Sequence, residues 1–132
     1  MTDQELLDLA FKALENAYAP YSNYRVGACV LCKDGKTFPG ANIENASYGA
    51  TNCAERTAIF SAYANGYRRD DIEAIAIVCE GSTMASPCGI CRQVLSELIP
   101  GDAKMILANR EKSMVTNIEA LLPLSFGSKD LQ

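Results

Sequence analysis

From Glu73 to Cys79 the chain runs through an apolar stretch with no polar alternation, and a cysteine-bearing segment lies on either side of it. A run of that kind suits a strand buried on both faces, so layers must cover it above and below. The surrounding pattern supplies them. Leu6, Leu7, Ala10, Phe11, Leu14, Ala17 and Tyr18 recur at helical spacing after Thr2 or Asp3 as N-cap, and Pro20 ends that helix. Tyr24–Cys32 and Thr37–Asn42 read as strands around the turn Lys33-Asp34-Gly35-Lys36. Cys53–Gly66 reads as a second helix, and Pro87 opens a third that runs to about Ile99. Lys104–Asn109 and Met114–Ile118 complete the strands, with a short helix over Ile118–Leu122. This order predicts an α/β fold: a three-layer α/β/α sandwich around a five-stranded mixed sheet, in one domain over residues 1–132.

The chemistry is narrowed by what is missing. There is no histidine among the 132 residues, so a metal site must use Cys, Asp or Glu, and the usual catalytic triads are excluded. The net charge of −4, with scattered basic residues, argues against a nucleic acid or an anionic membrane surface as partner. A small, nearly uncharged substrate suits this surface better. Met1 to Glu5 lack the features of an export signal, so the expected location is the cytoplasm. There, six cysteines are expected to be ligands, catalysts or buried apolar residues rather than disulfides.

Cys88 and Cys91 stand three residues apart at a helix start, a spacing that places both thiols on one face. Cys53 heads the other predicted helix. Helix N-termini favour negative charge, so all three positions stabilise thiolates. Three sulfur ligands would leave the fourth position of a zinc ion open to water. Glu55, in the first turn after Cys53, is placed to take that water's proton. Arg56 lies on the face that can donate to the sulfurs and offset their excess charge.

Each element has a plainer reading. A single C-x-x-C serves a metal, a redox pair or neither, and a Glu in a first helical turn commonly stabilises the helix dipole. A redox pair accounts for neither Cys53 nor Glu55. Cys29 and Cys32 form a second C-x-x-C, but three residues apart on a strand they point to opposite faces. They and Cys79, at the end of the central run, are read as structural.

The ordered set Cys53-Ala54-Glu55 and Pro87-Cys88-Gly89-Ile90-Cys91 resembles the signature of the zinc nucleoside deaminases, in the variant whose ligands are all cysteine. Ala17–Ser22, Val26–Ala28, Asn42–Tyr48 and Cys53–Ala58 extend the resemblance to small homotetrameric cytidine deaminases over nearly the whole chain. The resemblance implies one Zn²⁺ per subunit on Cys53, Cys88 and Cys91, and Glu55 as the proton carrier. It implies hydrolytic deamination of cytidine and deoxycytidine for pyrimidine salvage. Asn42 and Glu44 match residues that bind the ribose hydroxyls, and the backbone at Ala54 belongs to the base pocket. Phe126 matches an aromatic residue supplied to a neighbouring subunit's site, and Tyr48 is expected at a subunit contact. Tyr24 stands where the family commonly has Phe. Arg56 matches a charge-compensating arginine, and Gln93 a weaker donor to a thiolate. Rival readings are a deaminase of another aminopyrimidine nucleoside such as blasticidin S, and a binding module with a structural zinc.

Overall fold

The computed structural model describes residues 1–131. Helix α1 spans Asp3–Leu14, and Thr2 and Glu5 close a reciprocal capping box at its start. It stops short of the predicted Tyr18. Asn16 and Ala17 turn back onto Ala13 and Leu14, and Tyr18 bonds through its backbone to Asn42 and Glu44. Those long-range bonds override the helical spacing.

Strand β1 (Val26–Cys32) pairs antiparallel with β2 (Thr37–Ala41) and with β3 (Ile72–Cys79). β3 pairs parallel with β4 (Lys104–Ala108), which pairs antiparallel with β5 (Ser113–Thr116). The sheet is therefore mixed and five-stranded, in the order β2-β1-β3-β4-β5. The predicted central run is its middle strand. β5 ends before the predicted Ile118 because Asn117 turns away to cap helix α4 (Ile118–Leu121).

Helices α2 (Ala54–Ala64) and α3 (Gly89–Leu98) cover the face opposite α1. Ala28, Val30, Cys32, Ile75 and Ile77 pack under α2, α3 and α4. Cys29, Leu31, Ala74, Ala76 and Val78 pack under α1. The three-layer prediction is thus correct, and Cys29 and Cys32 do face opposite layers. Two glycines let the helices approach. A side chain at Gly27 would overlap α1 at Ala10 and Leu14, and one at Gly40 would overlap α2 at Ala54 and Ala58. Gly40 bears on the chemistry directly, because α2 begins at the candidate site.

Candidate active site

Cys53 is the N-cap of α2, and Cys88 is the N-cap of α3. Pro87 therefore precedes the cap rather than opening the helix, and the first turn belongs to Gly89, Ile90 and Cys91. Asn52 fixes the entry to α2: its backbone exchanges bonds with Ile43, and its amide donates to Thr57 Oγ1 at 3.0 Å. Thr57 in turn donates through Oγ1 to the Cys53 carbonyl oxygen at 3.0 Å.

The two helix starts converge. The sulfurs of Cys53, Cys88 and Cys91 lie within 4.8 Å of one another, and no other His, Cys, Asp or Glu of the described residues joins that group. Cys53 Sγ and Cys88 Sγ are 3.8 Å apart. Two ligands at about 2.3 Å from a tetrahedral zinc are separated by about 3.8 Å, so the donor set fits that ion. Three thiols with no fourth protein ligand form an open site rather than a closed structural one.

Electrostatics reinforce the geometry. The Cys91 N–H donates to Cys88 Sγ at 3.4 Å, and Arg56 Nη2 donates to Cys53 Sγ at 3.4 Å. The Cys53 thiol falls to about 5, chiefly through the hydrogen bond with Cys91 and further through Arg56 and Cys88. Cys91 moves the opposite way, above the ordinary thiol range, because its hydrogen bond with Cys53 favours the protonated thiol and burial adds to it. Arg56 Nε is buried without a partner, so the guanidinium is oriented by the sulfur it reaches.

Glu55 is 4% exposed, and burial raises its carboxyl to about 7. A carboxyl tuned to that range can both accept and return a proton near neutrality. It faces a cavity of about 210 Å³ whose wall also carries Cys53, Cys88, Ala54, Asn42, Glu44 and Tyr24. A larger cavity of about 450 Å³ lies between α1 and β2, but Lys12 is the one ionisable side chain among its described lining residues. The carboxylates and thiols gather at the smaller one.

The remaining positions named from the sequence fall in different places. Asn42 is buried, accepting from Val26 N at 3.0 Å and donating to the Tyr24 carbonyl oxygen at 2.8 Å. The Glu44 carboxylate accepts from the backbone N–H of Tyr21 at 2.9 Å and of Ser22 at 3.1 Å, and from the Ser22 hydroxyl. Tyr24 lies on the wall, where burial raises its phenol to about 12 and keeps it neutral. Tyr48 is exposed and packs edge-on to Tyr21 beside an adjoining cavity that shares Ser22, Glu44 and Thr51 with the first.

Gln93 requires a correction. Its amide Nε2 donates to the Phe126 carbonyl oxygen at 3.0 Å, not to a thiolate. It is exposed on α3 and turned toward the C-terminal segment, so it holds that segment instead of the metal site. Phe126 is 60% exposed and is not part of this chain's own cavity wall. Sequence reasoning also missed Arg92. Its Nε donates to Pro87 O at 2.9 Å, Nη2 to Ser86 Oγ at 2.9 Å and Nη1 to Leu121 O at 2.8 Å. The arginine thereby ties the loop before Cys88 to the C-terminal segment. Its position directly after Cys91 was the only signal in the sequence.

The family model of the cytidine and deoxycytidylate deaminase zinc-binding region matches residues 1–108. The chain belongs to this family. Among deaminases of known sequence, the cytidine deaminase of Halalkalibacterium halodurans is 49% identical over 132 residues, covering 99% of this chain and 98% of the relative. That of Sporosarcina psychrophila is 42% identical over 132 residues, covering 99% and 96%. A blasticidin-S deaminase from Bacillus cereus is 32% identical over 130 residues, covering 94% and 91%. Among solved structures, the cytidine deaminase of Burkholderia pseudomallei superposes with a TM-score of 0.93 at 50% identity, covering 96% of this chain and 100% of its own. As a member of this deaminase family, the chain is a zinc-dependent hydrolase, and its cluster of three thiols can hold one zinc ion. No helix among the described residues is long and apolar enough to cross a membrane.

Proposed function

We propose that this protein hydrolyses the amino group from C4 of cytidine and deoxycytidine, giving uridine or deoxyuridine and ammonia. The observation that carries the reading is the buried carboxyl of Glu55 in a cavity that also holds Cys53 and Cys88, with Cys91 close beneath. The identity to cytidine deaminases over nearly full length supports the choice of nucleoside.

Cys53, Cys88 and Cys91 would hold the zinc, which when bound acidifies water and supplies positive charge at the reacting carbon. Three thiolates exceed the charge of Zn²⁺, and the Arg56 guanidinium against Cys53 offsets that excess. Glu55 accepts the proton of the attacking water and delivers it to N3 of the ring as oxygen bonds to C4. It then takes the proton of the new hydroxyl and gives it to the amino group. The C4–N bond breaks, ammonia leaves and the carbonyl of the uracil ring remains. One carboxyl thus does the work of acid and base without histidine.

Asn42 and Glu44 are assigned to the sugar. Asn42 has one N–H left after its bond to Tyr24, and Glu44 has an open acceptor position on Oε2. A donor beside an acceptor suits a single alcohol, which accepts from one and donates to the other. That arrangement holds C4 over the water and serves ribose and deoxyribose alike. The buried backbone at Ala54 and the face of Tyr24 complete the wall for the base.

Phe126, exposed and outside its own chain's cavity wall, is assigned to a neighbouring subunit's site in a homotetramer, with exposed Tyr48 at a subunit contact. Six free thiols, three of them clustered as ligands, suit the reducing cytoplasm and a role in pyrimidine salvage. Neither a nucleic acid nor a membrane is assigned as partner: the net charge is −4. The second reading, a blasticidin-S deaminase, draws on the Bacillus cereus relative. Ammonia release from free cytosine, cytidine, deoxycytidine, blasticidin S and single-stranded DNA tests the assignment. Turnover confined to cytidine and deoxycytidine is expected; a preference for blasticidin S or DNA overturns it.

A further inference from the structure

The segment between α1 and β1 contains a group that the zinc chemistry leaves unexplained. Ser22 Oγ accepts from the backbone N–H of Tyr24 at 3.0 Å and donates its own proton to Glu44 Oε2. The Ser22 backbone N–H and that of Tyr21 both donate to the other oxygen, Glu44 Oε1. Three donors therefore converge on one carboxylate. They hold its carboxyl below the ordinary range, with the Ser22 hydroxyl the largest contributor. An ionised carboxylate accepts at about four positions, and these bonds occupy three of them. Two of the three are backbone groups that Oε1 receives whatever side chain stands at residue 22. Oε2 depends on the hydroxyl alone.

The same hydroxyl fixes the other wall. Tyr24 is held at its N–H by Ser22 and at its carbonyl oxygen by Asn42. Gly81 leaves room for its ring, since a Cβ there would stand 3.2 Å from Tyr24 Cε1. Ser22, Tyr24, Asn42 and Glu44 all border the cavity that contains Glu55. Ser22 thus links the carboxylate, the aromatic wall and, through Tyr24, the amide.

We propose that Ser22 is a positioning residue for substrate: its hydroxyl turns Glu44 Oε2 so that the remaining acceptor position meets one sugar hydroxyl of the nucleoside. This inference rests on the deaminase reading above and deepens it. The hydroxyl acts through Glu44. Without it Oε2 is free to rotate toward solvent, and the acceptor is no longer aimed. The loss falls on binding of the sugar rather than on proton transfer at C4, because Glu55 and the thiols lie on α2 and α3.

The test compares cytidine with 3′-deoxycytidine in wild type, Ser22→Ala and Ser22→Thr. Ser22 is exposed, so neither change disturbs the core. For Ser22→Ala the KM for cytidine should rise about tenfold, as expected for losing a charge-assisted hydrogen bond, with kcat within about twofold of wild type. The penalty should shrink to about twofold or less on 3′-deoxycytidine, which lacks the ring hydroxyl that cytidine and deoxycytidine share and from which Glu44 is proposed to accept. Ser22→Thr, which keeps the hydroxyl, should restore the KM. An equal penalty on both nucleosides means that Ser22 merely braces Tyr24, and it overturns the assignment. So does a fall in kcat at unchanged KM, or a threonine variant as impaired as the alanine. Absence of cytidine turnover by the wild-type enzyme overturns the deaminase reading itself, a result separate from any of these.

Discussion

Gly40 of β2 lies so close beneath Ala54 of α2 that a Cβ on it would stand 2.5 Å from the Ala54 carbonyl oxygen and 2.5 Å from Ala58 N. The helix backbone rests directly on the strand. Because Cys53 and Glu55 flank Ala54, this contact sets the height of the site above the sheet.

Gly40→Ala should therefore lower both stability and activity. Overpacking of this kind costs about 1–3 kcal/mol, and the backbone on one side of the clash cannot move aside as a side chain would. Thermal unfolding should show the loss, and kcat should fall further than KM rises, since the displaced groups are Cys53 and Glu55. Gly27→Ala, which lifts α1 on the opposite face, should lower stability without that bias against kcat.

Arg56→Ala should raise the Cys53 thiol. In the metal-free protein, thiolate absorbance belonging to Cys53 is expected to develop near pH 5 instead of near the ordinary thiol value of about 8.5. Removing the Arg56 donor should shift that midpoint upward. Stability follows from the same ionisation. Cys53 ionises more readily folded than unfolded, so its contribution is fully present above about pH 8.5. The contribution is lost as pH falls through about 5. Metal-free protein should accordingly lose stability in acid, and less so in the Arg56→Ala variant.

How much of the molecule is legible in its sequence depends on how local each signal is. The central strand, the hairpin at Lys33–Lys36 and the positions of Cys53, Cys88 and Cys91 at helix starts are set by neighbours in sequence, and spacing and turn residues place them all. The helical spacing overshoots the end of α1 because Tyr18 is claimed by Asn42 and Glu44, more than twenty residues away. The motif assigns Gln93 to a thiolate, yet its partner is a backbone carbonyl oxygen in the C-terminal segment. Gly40 lies in no motif, and Ser22 and Arg92 stand in or beside resembling segments that assign them no role. Their roles exist only once the fold brings a distant partner beside each: the backbone of α2, the Glu44 carboxylate and the Leu121 carbonyl oxygen.

Arg92→Ala should weaken metal retention. The side chain satisfies two carbonyl oxygens and a hydroxyl on the two segments that it joins, and unpaired acceptors make the loop before Cys88 looser. Transfer of zinc to a chelator should accelerate by about tenfold or more, on the order of the loss of one or two charged hydrogen bonds. Ser86→Ala, which removes one of the three bonds, should lie between the variant and wild type. Equal transfer rates in all three proteins would show that the clamp does not act on the metal loop.

The proposed sharing of active sites makes a prediction for mixtures. Glu55→Gln and Phe126→Ala proteins should each be nearly inactive alone, since each lacks a part of every site. Subunits exchanged between them should recover activity, because some sites then combine an intact Glu55 with a neighbour's intact Phe126. Absence of recovery in verified mixed assemblies would remove Phe126 from the neighbour's site.

Glu55, the buried carboxyl beside three thiols, is the group on which the proposed chemistry turns. The decisive measurement is cytidine turnover by Glu55→Gln at verified zinc content. Zinc should remain at one ion per chain while turnover falls by about 10²–10⁴-fold, the usual contribution of a positioned acid–base group. A zinc-loaded Glu55→Gln protein that turns over cytidine at the wild-type rate would contradict the mechanism.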